Sequence, residues 1–141
     1  MRESKFRAKA IYNGEWLIGD LIKNSIIDPF TYISIGIGYR VDDERIGKLI
    51  KVYPDSVGEF IGMKDKNNLE MCEGDICKTY QKFYEIPSPL IVKIVYNENL
   101  ACFEPQQYWA SMKKFISLVD RFEMYDFEII GNTYENGDLL K

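Results

Sequence analysis

A chain of 141 residues with 46% hydrophobic and 28% charged residues can bury the core of one domain, which excludes a disordered chain. Eighteen Lys and Arg against twenty-two Asp and Glu leave a net charge of -4, the wrong sign for a surface that tracks nucleic-acid phosphates throughout. His is absent, which excludes Ser-His-Asp, Cys-His and His-zinc chemistry.

Lys5-Phe6-Arg7-Ala8-Lys9-Ala10-Ile11 alternates charged with apolar residues, the pattern of a half-buried strand. Asn13-Gly14 supplies a tight turn, because both residues tolerate positive φ, and residues 15–22 return as the partner strand. Asp28-Pro29 breaks the chain. Residues 30–37 form a strand with Ile33, Ile35 and Ile37 on one face, and the charged turn Asp42-Asp43-Glu44-Arg45 leads into a strand from Ile46 to Tyr53. Val57 to Met63, Leu69 to Cys72 and Ile76 to Tyr80 read as three further strands, joined by the polar loop 64–68 and the turn Glu73-Gly74-Asp75. Ile86-Pro87-Ser88-Pro89 is the stretch most like a linker, and a hairpin around Asn97-Glu98-Asn99 follows it. Beyond Pro105, Tyr108, Trp109, Met112, Phe115, Ile116 and Val119 fall on one side of a helix, so the spacing predicts a helix over 106–119. Phe127 to Ile130 is a final strand, turned by Gly131-Asn132 into a tail that suits a short helix. The expected fold is mainly β, a small barrel or roll as a single domain over 1–141, with a sub-boundary near 86–89 and one appended helix.

No apolar run is long enough to span a membrane, and the residues after Met1 form no secretory leader, so a cytoplasmic protein is expected. Cys72, Cys77 and Cys102 are an odd number of thiols, expected to be reduced; the first two lie in strand-like apolar patterns and read as small core residues rather than metal ligands. Glu70, Glu73 and Asp75 would bind a divalent cation only if the fold gathered them, and the acidic-x-Lys element of a nuclease does not follow Pro54-Asp55. Gly36-Ile37-Gly38 lacks the third glycine of a dinucleotide loop. Tyr39-Arg40, Lys51-Val52-Tyr53 and Lys78-Thr79-Tyr80 place aromatics beside cations, as a nucleic-acid-binding barrel does, yet the same alternation occurs in any strand with one wet face. The basic residues Arg2, Lys5, Arg7 and Lys9 contrast with the acidic stretch from Asp120 onward, a distribution that reads first as a solvated face, with head-to-tail pairing of subunits as the sharper alternative.

Two blocks stand out: residues 54–67 running into Glu73-Gly74-Asp75-Ile76, and residues 128–140, with Gly131-Asn132-Thr133-Tyr134-Glu135-Asn136 at their centre. Both resemble the YopX protein family of phages and prophages, as does the opening Lys5-Phe6-Arg7-Ala8 followed by Trp16, Gly19, Asp20 and Leu21. Ser56 stands where that family usually has Thr, Glu59 where it has Gln, Asn68 where it has Gly, Cys72 where it has an aromatic and Gly137 where it has Pro; residues 105–124 read as an insertion. The resemblance implies a β-barrel or roll related to SH3-like folds, phage origin and oligomerisation, and it transfers no activity. Gly58, Gly62, Asp65, Glu73, Gly74, Asp75 and Gly131 are expected to define the fold, with the glycines allowing turns or close approach and the aspartates bonding turn backbone. No catalytic residue, metal or cofactor is assigned. The expectation is a non-catalytic module that binds protein partners, foremost itself; the alternatives are a nucleic-acid-binding barrel and a carboxylate-metal enzyme such as a nuclease.

Overall fold

The computed structural model of the protein describes residues 5–23, 31–35, 48–81, 90–109, 114–117 and 125–140. They fall in two compact units, Met1–Phe60 and Ile61–Lys141. The linker-like stretch 86–89, the charged turn 42–45, and the Gly36-Ile37-Gly38 and Tyr39-Arg40 motifs lie outside the described residues.

The first unit is an antiparallel meander of β1 (Phe6–Lys9), β2 (Trp16–Lys23), β3 (Thr31–Ile35) and β4 (Lys48–Val52), and β1 also pairs with the start of β5 (Gly58–Lys64). Alternation along each strand sorts the side chains. Ala8, Ile33 and Val52 are buried, with Phe6, Leu17, Leu21 and Val57 packed against them. The opposite parity faces outward, in cross-strand rows such as Arg7 beside Ile18 and Ile22 beside Tyr32 beside Lys51. The first hairpin turns at Gly14, whose φ is +70°, and the Asn13 side chain accepts the Glu15 N–H at 3.0 Å. After β4 a 3-10 turn at Pro54–Ser56 brings Ser56 back to β1. Its hydroxyl accepts the Lys9 N–H at 2.8 Å and donates to the Tyr53 carbonyl at 2.6 Å. A hydroxyl is what this position needs, and Ser supplies it as Thr would.

β5 carries the chain from the first unit into the second, and β6 (Glu70–Cys72) completes the strand order β4-β3-β2-β1-β5-β6. The second sheet has the order β10-β9-β8-β7-β11, built from β7 (Asp75–Gln81), β8 (Leu90–Asn97), β9 (Cys102–Trp109), β10 (Lys114–Ser117) and β11 (Tyr125–Asn132). Its core gathers Ile61, Met71, Cys77, Val92, Ile94 and Phe127, with Met63, Phe103 and Ile129 at the margin. Cys72 and Cys77 are both fully buried thiols, as their apolar surroundings in the sequence imply. Glu104 is also buried, its carboxylate accepting from the Asn97 and Gln106 side-chain amides at 3.1 and 2.8 Å.

Two expectations need correction. Where the spacing predicts a helix over 106–119, β9 continues to Trp109 and pairs with β10, Tyr108 opposite Phe115 and Gln106 opposite Ser117. Tyr-Trp and Phe-Ile pairs separated by a short link fit two strands as well as one helical face, and the open edge of β9 decides between them. Residues 110–113 and 118–119 of that segment lie outside the described residues, and Pro105, the first residue of the expected insertion, is buried within β9. The second correction concerns the barrel: the strands form two open antiparallel sheets rather than a closed cylinder. β4 curls back to β1 only at the bridge Ala10–Val52, flanked by Ile11 N–H to Lys51 O at 3.1 Å and Tyr53 N–H to Lys9 O at 2.9 Å.

Candidate functional site

The sequence motifs resolve into three turns whose polar groups serve the backbone. Asp65, 6% exposed, opens the loop after β5: one carboxylate oxygen accepts the Asn67 and Leu69 N–H groups at 2.9 Å each, and the other accepts the Ile129 N–H at 3.1 Å. The next residue, Lys66, donates its N–H to the Phe127 carbonyl at 2.8 Å. This loop therefore lies along the outer edge of β11 and occupies groups that an edge strand would otherwise expose. Asn68 takes a φ of +66°, the conformation that a Gly reaches without strain and an Asn tolerates.

Gly74 has a φ of +89°, donates to the Ile94 carbonyl at 2.8 Å and accepts the Thr133 N–H at 2.7 Å. Asp75 beside it is fully buried and accepts the Cys72 N–H at 2.7 Å. Gly131 follows a bulge in the β7–β11 ladder. A Cβ there would stand 2.7 Å from the Asn136 side-chain oxygen, which accepts the Asn132 N–H at 3.1 Å, while Asn132 in turn accepts from Glu135 at 2.9 Å. The glycine is thus the seat on which the Asn136 side chain closes its turn. Gly58 is buried opposite Arg7, and Gly62 is exposed with a φ of +84°.

The fold brings Glu73, Gly74 and Thr133 together with Lys93, Tyr96 and Glu98 around a hollow of about 420 Å³. Burial holds the Lys93 pKa below the ordinary lysine value. Asp65 lies elsewhere, and one Asp75 carboxylate oxygen accepts the Cys72 N–H. Among the described residues no three Cys, Asp or Glu side chains converge as metal ligands would.

Among the described residues, three rings carry a cation over one face. Lys5 lies 4.7 Å over Phe60, Arg7 5.3 Å over Trp16, and Lys66 4.5 Å over Tyr80. Glu128, 2.7 Å from the Lys66 ammonium, fixes the last pair and raises the lysine pKa by its hydrogen bond.

Sequence reasoning missed the feature at the seam where β4 meets the end of β1. Ile11, Tyr12, Leu49, Ile50 and Lys51 line a depression of about 390 Å³ there. Ile11 is 44% exposed, Tyr12 71% and Leu49 51%, and Ile18, at 53%, stands outward on β2. The signal was present: Ile11 and Tyr12 directly precede a polar turn, and Leu49 has the outward parity of its strand. What the sequence alone did not reveal was that the seam puts them side by side. The two units also differ in charge: through Phe60 nine basic residues balance nine acidic ones, and from Ile61 onward nine basic residues face thirteen acidic ones.

Comparison with known proteins bears on the whole chain. The family model described as YopX protein matches residues 5–141. The crystal structure of protein EF1440 from Enterococcus faecalis is similar in fold, with a TM-score of 0.59 at 20% identity and 100% of each chain covered. No curated protein matches.

Proposed function

The chain belongs to the YopX protein family, and we propose on that footing that it is a non-catalytic phage or prophage protein of the bacterial cytoplasm that assembles with itself through the seam of its first unit. One observation carries this reading: Ile11, Tyr12 and Leu49 stand exposed around a single depression. Apolar side chains gathered at one surface point support an interaction surface more than scattered ones do. Two further arrangements favour a protein partner. Both oxygens of Asp65 and one oxygen of Asp75 accept backbone N–H groups. Stacking a nucleobase on Phe60, Trp16 or Tyr80 would compete with the cation already resting on each ring.

The test is Leu49→Asp, examined by sedimentation beside the wild-type protein. The substitution puts a charge into the apolar depression while leaving the buried core untouched, so stability should change by only about 0.5 kcal/mol. The expected result is a multimer for the wild type and a folded monomer for the variant. Equal masses for the two proteins would contradict the proposed surface.

A further inference from the structure

The seam has a counterpart on the second unit. The turn that follows β11, Thr133 to Leu140, ends in a 3-10 segment at Gly137–Leu140. It exposes Tyr134 and Leu139 together with the acidic residues Glu135 and Asp138. It is an apolar pair flanked by negative charge. The seam is an apolar depression flanked by Lys51. The charge division between the units points the same way, because the second unit holds the entire acidic excess.

We infer that the occupant of the seam is the Thr133–Leu140 turn of a second copy of the chain, with Tyr134 and Leu139 in the depression and Glu135 and Asp138 beside Lys51. This rests on the self-assembly reading above and specifies its geometry. The contact is heterologous: one surface of each copy meets a different surface of the next, so assembly proceeds head to tail into a ring or a filament. The two sides differ in role. Apolar burial gives adhesion, and the charges at the rim select which surface pairs with which. A seam-to-seam contact would set Lys51 near its own copy, and a turn-to-turn contact would bring four carboxylates together; like charges disfavour both.

A charge exchange tests this. One variant carries Lys51→Glu; the other carries Glu135→Lys with Asp138→Lys. All altered side chains are exposed, so unchanged circular dichroism and only small shifts in thermal midpoint are expected for both. Each variant alone should associate about tenfold or more weakly than the wild type, because seam and turn now repel. An equimolar mixture should recover multimers, since each variant's turn then meets a seam of opposite charge. If the turn variant alone keeps the wild-type mass while Leu49→Asp is monomeric, the seam binds a second copy by another surface; the head-to-tail contact is then wrong and self-assembly stands. A mixture that stays monomeric also overturns the contact. A wild-type protein that is monomeric at every concentration overturns both readings.

Discussion

Replacing Asp65 with alanine should lower the unfolding free energy by about 3–5 kcal/mol, among the largest single losses expected in this chain. The carboxylate accepts three backbone N–H groups, and two of them close its own loop. The third belongs to Ile129, across 64 positions of sequence, and ties that loop to the edge of β11. Alanine leaves all three donors without this acceptor and loosens the loop from the strand. Asparagine separates the two functions. Its single oxygen can still serve Asn67 and Leu69, but its NH2 would face the Ile129 N–H, donor against donor. Asp65→Asn should therefore cost about 1–3 kcal/mol and speed hydrogen exchange at Ile129 more than at Leu69. Urea unfolding gives the free energies and amide exchange gives the sites. A loss below about 1 kcal/mol for the alanine variant would contradict the role assigned to Asp65.

Asp75→Ala should cost about 1–3 kcal/mol, because it strips the acceptor from the buried Cys72 N–H. The thiols report the damage. Cys72 and Cys77 are buried and Cys102 is half-buried, so a thiol reagent should modify Cys102 first in the native wild-type protein. In the variant, Cys72 and Cys77 should become reactive at a rate that follows the fall in stability. Wild-type stability together with protected thiols in Asp75→Ala would show that the Asp75–Cys72 contact contributes little.

The parts of this protein that could be read from sequence are those set by local rules. Strand alternation placed Ala8 and Ile33 in the core, and the polar stretch 64–68 marked the turn where Asn68 adopts its positive φ. Asp65, Gly74 and Asp75 were legible as turn residues. Their long-range partners were not, since nothing near Asp65 announces Ile129 and nothing near Gly74 announces Ile94 or Thr133. Ser56 was visible only as a replacement for Thr, and its bond to the Lys9 N–H appears once the chain has folded back. The helix expected over 106–119 failed for the same reason. A periodic stripe is a local signal, and the hydrogen-bonding edge of β9 is a tertiary one that outweighs it. The seam belongs to this second class, because Ile11 and Leu49 become neighbours only through the bridge between Ala10 and Val52.

The central claim is that this protein binds copies of itself rather than nucleic acid. Light scattering on the wild-type protein tests it most directly, from micromolar to near-millimolar concentration, with and without mixed single- and double-stranded oligonucleotides at low and moderate salt. The account predicts a multimer whose mass is indifferent to the oligonucleotides. A monomer whose mass rises with oligonucleotide and falls back as salt is added would contradict it, because that salt dependence is the signature of phosphate binding.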